Sequence, residues 1–341
     1  MSKALNVAIL GATGLVGETF LTVLEERKFP IGELFPLASE RSVGKKVRFR
    51  GREIPAIDAA TFDFKRAQIG LFSAGGDVSA HYAPIAAAAG CVIVDNTSHF
   101  RYEADIPLVV PECNAAAIAQ YKARGIIANP NCSTIQMVVA LKPIYDAVGI
   151  TRINVATYQS VSGAGRAAVE ELADQTAKLL NGRPIDTPRK IAKQIAFNCV
   201  PQIDKFMDNG YTKEEMKMHW ETQKIFADDQ IMVNATAVRV PVFFGHSEAI
   251  HIETRRKITA TEARALLQKA PGVKVIDEHK PGGYPTAVTE AANHDTVYVG
   301  RIREDMSHER GLDLWVVADN IRKGAATNAV QIAEILASDY L

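Results

Sequence analysis

A chain of 341 residues, 47% hydrophobic and 23% charged, has the composition of a globular protein large enough for two domains, which excludes a disordered or fibrous polypeptide. Lys plus Arg and Asp plus Glu both number 39, so no global basic field recruits nucleic acid. The four cysteines, Cys91, Cys113, Cys132 and Cys199, form no CxxC pair and no zinc spacing, so reduced thiols in a cytoplasmic protein are expected rather than a disulfide framework.

The start, residues 1–10, holds one lysine and a short apolar run that leads into a glycine turn, and it reads as a strand rather than a signal peptide. Residues 6–10 fit a buried parallel strand, 15–27 a helix ending before Pro30, 33–38 a second strand and 39–45 a polar loop. Further strands are expected at 69–73, 91–95 and 125–128, with a helix over 77–89. The longest apolar stretch, 83–94, is broken by Pro84 and Gly90 and is too short to span a bilayer, so no membrane association is expected. This alternation predicts an α/β fold with an N-terminal Rossmann-like parallel sheet.

After Asn129 the pattern changes. A helix is expected over 133–148, an alternating strand over 152–159, an amphipathic helix over 164–180 and irregular chain over 181–212. Residues 231–242 and 249–257 read as two strands of an antiparallel sheet, 297–303 and 312–318 as two more, and 323–338 as a closing helix. The expected division is a nucleotide-binding domain over 1–128, an α+β catalytic domain over 129–320, and a final helix, 321–341, packing back on the first domain.

Three features carry chemistry. Gly11, Gly14 and Gly17 sit between a strand and a helix, where glycines let backbone amides crowd a pyrophosphate and the helix N-terminus favours anions. The spacing is GxxGxxG, a variant of the usual fingerprint, and a tight turn without ligand is the alternative. After the second strand, Ser39, Arg41 and Ser42 suit a 2′-phosphate, while Glu40 suits a ribose hydroxyl; NADP is favoured over NAD. Cys132 follows the apolar strand and Asn129-Pro130-Asn131 and opens a helix, whose dipole stabilises a thiolate and whose amides could receive an oxyanion; an inert buried cysteine is the alternative. Among eight histidines, His246 stands in a glycine turn between two expected strands, where it would be accessible and aimed at a cleft; a solvated loop histidine, the commoner case, is the alternative. Its spacing to His251 does not suit a metal site.

Taken together, GATGLVG (11–17), SHFR (98–101), NPNCST (129–134), YQSVSGAGR (158–166), EEMK (214–217), RVPVFFGHSE (239–248) and DNIRKGAA (319–326) resemble the aspartate-semialdehyde dehydrogenase family, in order and over nearly the whole chain. The resemblance implies an NADP-dependent oxidoreductase without a metal, interconverting aspartate 4-semialdehyde plus inorganic phosphate and aspartyl phosphate through a cysteine thioester, in a homodimer or tetramer. It implies that Cys132 is the nucleophile, that His246 is the acid/base taking the thiol proton, and that Gln159 orients His246 or the substrate. Arg239 would grip the substrate carboxylate, Glu214 its ammonium, and Arg101 and Lys217 the phosphate, with Asn131 also touching substrate. Gly11, Thr13, Gly14, Leu15, Val16, Gly17, Ser39, Arg41, Ser42, Ser73, Ser162, Gly163 and Asn320 would contact NADP. By themselves, Arg239 reads as a surface arginine and Glu214 with Lys217 as an exposed i,i+3 ion pair. The rivals are N-acetyl-glutamyl-phosphate reductase, which should lack an acidic partner for an ammonium, glyceraldehyde-phosphate dehydrogenase, whose nucleophile has a different frame, and a non-catalytic NADP-binding regulator.

Overall fold

The structure, a computed structural model, describes residues 4–341; the part of the expected N-terminal strand reading that falls on residues 1–3 lies outside them. The chain forms two compact units, the described part of Met1–Asn131 with Ala325–Leu341, and Cys132–Gly324.

In the first unit, β1 (Leu5–Leu10) runs through the middle of the sheet and α1 (Leu15–Glu26) follows it. Then come β2 (Ile31–Ala38), an antiparallel hairpin of β3 (Lys46–Phe49) and β4 (Arg52–Pro55), and β5 (Ile57–Asp58). The hairpin was not anticipated from the sequence. Its turn places Arg50 and Gly51 at φ of 47° and 74°, and Val47 and Phe49 face inward while their neighbours are exposed. After β6 (Ile69–Phe72), α2 (Gly76–Ala88), β7 (Val92–Asp95), a turn of helix α3 (Pro111–Asn114) and β8 (Ile126–Ala128), the six-stranded sheet is complete in the order β5-β2-β1-β6-β7-β8, parallel throughout. Val7, Ile9, Leu71 and Val94 are fully buried, as expected of parallel strands covered on both faces.

The glycine turn between β1 and α1 depends on close backbone approach. Gly11 has φ of 87°, and a Cβ added at Gly17 would stand 2.2 Å from the Gly11 carbonyl oxygen. Because that neighbour is backbone and cannot swing away, Gly17→Ala is expected to destabilise the protein by about 3 kcal/mol, read as a lower urea midpoint. An unchanged midpoint would show that α1 does not pack so tightly against the turn.

The second unit opens with α4 (Cys132–Val148), β9 (Ile150–Gln159), α5 (Arg166–Leu180) and α6 (Lys213–Phe226), and residues 181–212 hold no helix or extended strand. It continues through β10 (Met232–Arg239), β11 (His246–Thr254), α7 (Ala260–Lys269), β12 (Val273–Val275), β13 (Val297–Glu304) and β14 (Gly311–Ala318). The sheet order is β10-β9-β11-β14-β13-β12. The two stretches expected as strands of an antiparallel sheet, 231–242 and 249–257, are therefore not neighbours. β9 lies between them, parallel to β10 and antiparallel to β11. Alternation reports which face of a strand is buried, not which strand lies beside it. α7 went unforeseen although Thr259 and Glu262 form a reciprocal capping box.

The chain then returns to the first unit. α8 (Thr327–Ile335) is shorter than the single helix expected over 323–338, with wider helical turns before and after it. Ala326, Ala329, Val330, Ile332, Ala333 and Leu336 join the core built by Phe20, Leu21 and Leu24, and Arg27 grips Glu334 through two hydrogen bonds of 2.8 and 2.6 Å. No helix among the described residues is long and apolar enough to cross a membrane.

Candidate active site

The second unit gathers the side chains singled out for catalysis and most of those singled out for the substrate. Cys132 is the first residue of α4 and half-buried, and its Sγ lies 3.4 Å from His246 Nε2. His246 departs from expectation. It is not an accessible turn residue but the fully buried first residue of β11, because Gly245, at φ of 87°, completes the turn one position earlier. The Gly245 N–H is anchored on Asn320 Oδ1 at 3.0 Å.

The imidazole is oriented from its far side. The backbone N–H of Ser160 donates to His246 Nδ1 at 3.0 Å, and Ser160 Oγ lies 3.1 Å from the same nitrogen. A backbone N–H can only donate, so Nδ1 accepts and the neutral ring carries its proton at Nε2, facing the sulfur. Burial, reinforced by the Arg239 guanidinium, pushes His246 down to about 3. The expected role of accepting the thiol proton is thus disfavoured in this geometry; the ring is a hydrogen-bond donor suited to a thiolate and to a developing oxyanion.

Gln159, expected to orient the histidine or the substrate, does not bond to the ring. Its Nε2 reaches Ser133 Oγ at 2.7 Å and Thr157 Oγ1 and Glu214 Oε1 at 3.3 Å each. Ser160, which sequence reasoning passed over, holds the imidazole instead. Its signal was its place at the end of β9, beside Gln159 and before the Val161–Ala164 turn. Ser160 Oγ donates to Asn320 Oδ1 at 3.0 Å, and Asn320 Nδ2 donates to Ser162 Oγ at 3.0 Å. Ser162 and Asn320, singled out as cofactor contacts, thus brace the histidine loop from within this unit.

Arg239 closes β10 and is buried, not a surface arginine; its Nη1 donates to the Ser160 carbonyl at 2.7 Å. Burial lowers its guanidinium from the usual range, against the opposing pull of Glu214 and Cys132. Glu214 and Lys217 share a face of α6, but their 2.9 Å ion pair is largely buried rather than exposed. Lys217 Nζ also reaches Asp204 Oδ2 at 2.9 Å. Burial alone would lower this ammonium, yet the two carboxylates outweigh it and hold Lys217 above its usual range. Close approaches keep the site open: a Cβ at Gly163 would stand 3.0 Å from Arg239 Nη1 and 3.4 Å from His246 Nε2, and one at Gly324 would stand 2.9 Å from Cys132 Cβ. A sulfur nucleophile, a ring donor, a guanidinium and a carboxylate suit an electrophile carried on an α-amino acid.

The first unit carries the remaining candidates. In the glycine turn, α1 has Gly14 as its N-cap with no side-chain cap bond, so by helix geometry the N–H groups of Leu15, Val16 and Gly17 are free of intrahelical acceptors and suit an anion. Thr13, Leu15 and Val16 are half-buried around it, and the Ser73 carbonyl crosses so near Gly11 that a Cβ there would stand 2.9 Å from its oxygen. Ser39, Arg41 and Ser42 lie just past the end of β2, the neighbour of β1, with Ser39 and Arg41 exposed. These residues fit a dinucleotide carrying an additional phosphate. Arg101 is buried, with Nη2 donating to the Asn96 carbonyl at 3.0 Å, and Asn131 is buried immediately before Cys132 in the chain.

Comparison with known proteins finds relatives over the full length of the chain. A family model described as semialdehyde dehydrogenase, NAD binding domain, matches residues 6–121, and one described as semialdehyde dehydrogenase, dimerisation domain, matches residues 141–323. The chain is 67% identical to an aspartate-semialdehyde dehydrogenase of Legionella pneumophila, over 100% of this chain and 98% of that one. It is 64% identical to one from Shewanella sp. (strain DB6705) over the full length of both. A crystal structure of aspartate semialdehyde dehydrogenase II of Vibrio cholerae, complexed with ASA, superposes with a TM-score of 0.98 at 63% identity, covering 100% of each chain.

Proposed function

The chain belongs to the aspartate-semialdehyde dehydrogenase family, and on that premise we propose how its own residues perform the family's reaction. The protein is an NADP-dependent oxidoreductase of aspartate-family amino-acid biosynthesis that interconverts L-aspartate 4-semialdehyde plus phosphate and L-4-aspartyl phosphate through a cysteine thioester. The reading of N-acetyl-glutamyl-phosphate reductase falls away, and the buried carboxylate of Glu214 beside Arg239 is the feature an acylated amine would not need.

Cys132, its thiol proton released to solvent, forms as thiolate a bond to the aldehyde carbon, and the carbonyl electron pair moves to oxygen. His246 Nε2–H donates first to the sulfur and then to that oxyanion, without yielding its proton. The hydride acceptor needed for the thiohemiacetal to become the thioester is what NADP would supply when bound. A phosphate oxygen then attacks the thioester carbon, and the Cys132 thiolate leaves; the biosynthetic direction is the reverse. Arg239 takes the substrate α-carboxylate and Glu214 its ammonium. Lys217 supplies positive charge for phosphate, the role proposed also for Arg101, and Asn131 is proposed to touch substrate. The glycine turn with Ser73 would hold the NADP pyrophosphate side and Ser39, Arg41 and Ser42 its 2′-phosphate; for Ser162, Gly163 and Asn320, cofactor contact would be additional to bracing His246.

The observation that carries this reading is the 3.4 Å approach of Cys132 Sγ to His246 Nε2 beside Arg239. The test supplies purified protein with aspartate semialdehyde, phosphate and either NADP or NAD and follows NADPH or NADH absorbance. Phosphate-dependent NADPH formation is expected, and a rate indifferent to phosphate would end the proposal. Lys217→Ala is expected to raise the KM for phosphate by about 10-fold or more with a smaller change in that for the semialdehyde. An unaltered phosphate KM in a folded variant would remove Lys217 from this role. The protein is further proposed to be a cytoplasmic homodimer assembled through the 141–323 domain, and sedimentation would distinguish a dimer from a tetramer or monomer.

A further inference from the structure

Beneath the reacting pair lies a second pair of polar side chains that the chemistry above leaves unused. Glu248 is two residues beyond His246 on β11, on the same face by strand alternation, opposite Thr157 of β9, and it has no solvent exposure. Gln136 is one helical turn beyond Cys132 on α4 and equally buried. Gln136 Nε2 and Oε1 and Glu248 Oε1 and Oε2 are all shielded from water, and none is in the geometry of a formed hydrogen bond. The two side chains nevertheless lie together. Burial holds the Glu248 carboxyl well above its usual range, with Gln136 pulling the other way.

Leaving four such atoms unsatisfied is costly in a protein interior. A carboxylate cannot relieve all of them, because it offers no hydrogen to Gln136 Oε1. A carboxylic acid can: its O–H donates to Oε1 while Nε2–H donates to its carbonyl oxygen, closing a ring of two hydrogen bonds. We propose that Gln136 and the carboxylic acid of Glu248 form this reciprocal clasp, which fastens the first turns of α4 to the start of β11 and so fixes the spacing of Cys132 and His246. Both are positioning residues, one on the element that carries the sulfur and one on the element that carries the imidazole. The inference rests on the reading of Cys132 and His246 as the reacting pair.

The test uses the full-length protein and neutral replacements. Glu248→Gln keeps a donor and an acceptor in the same places and is expected to retain kcat within about 3-fold. Glu248→Met and Gln136→Met are each expected to lower kcat by about 10- to 100-fold with little change in the semialdehyde KM, the penalty of a misplaced reacting group. The exchange Gln136→Glu with Glu248→Gln rebuilds the ring with its ends reversed and is expected to restore the rate. The pH profile of Cys132 alkylation, read by peptide mass spectrometry, should shift in the Met variants and return in the exchange. That profile needs no turnover, so it reads the clasp even if the phosphate-dependent assay fails. An inactive but folded Glu248→Gln, an unshifted profile in a folded Met variant, or an exchange no better than Gln136→Met would each overturn the proposal. If the Met variants do not fold, Glu248→Gln and the exchange decide it alone.

Discussion

Cys132→Ala is expected to lower kcat by about 10⁴-fold or more while leaving NADP affinity within about 3-fold. Two of the other three cysteines stand in settings unlike that of Cys132. Cys91 is buried ahead of β7, where burial pushes its thiol up to about 12, and Cys199 is exposed in the irregular stretch of the second unit. Without the sulfur, hydride would have to leave a hydrated aldehyde rather than a thiohemiacetal, and phosphate would have no thioester to attack. The glycine turn belongs to the other folding unit. Steady-state turnover and an NADPH fluorescence titration on the same preparation check both halves, and a variant retaining a tenth of the rate would refute covalent catalysis by this residue.

His246→Asn is expected to lower kcat by about 10²- to 10³-fold, the loss usual for a donor aimed at developing negative charge, with substrate KM changed far less. The same variant tests the electrostatics of the buried ring. In the folded protein the imidazole is pushed down to about 3 by burial and by Arg239. In the unfolded chain it titrates near about 6.5, so as pH falls below that value only the unfolded state takes up the proton. Stability contributed by the neutral ring is therefore complete above about pH 6.5 and is lost progressively as pH falls toward about 3, at up to about 1.4 kcal/mol per unit. Between about pH 7.5 and 5.5 the wild type should lose about 1.4 kcal/mol from this group, and His246→Asn should show a correspondingly shallower dependence in urea unfolding. Parallel curves for the two proteins would mean that the ring is more basic than its surroundings imply.

Legibility from the sequence differs from residue to residue. The glycine turn was legible because spacing and local chain order specify it. Cys132 was legible because Pro130 ends the preceding strand's pattern and a helical period begins at once. His246 was located but misjudged in exposure, since one glycine at positive φ decides whether the next residue belongs to the turn or to the strand. Arg239, Glu214 and Lys217 read as surface charges on their own, because burial of a charge depends on what packs over it from distant parts of the chain. Ser160 and the Gln136–Glu248 pair were not singled out, since their significance arises from α4, β9 and β11 coming together. The edge position of β10 was lost for a similar reason: neighbour relations in a sheet are set by tertiary packing.

The return of residues 325–341 to the first unit has a consequence for biogenesis. The second unit is one unbroken stretch of chain, whereas the first is assembled from both sides of it. On the ribosome, α1 and its sheet emerge early, yet the apolar surface that receives Ala329, Val330, Ile332 and Leu336 stays uncovered until the whole intervening stretch has been translated. The nucleotide-binding half, first to be synthesised, is therefore the last to reach its finished core, and nascent or prematurely terminated chains should present that bare surface to chaperones and proteases.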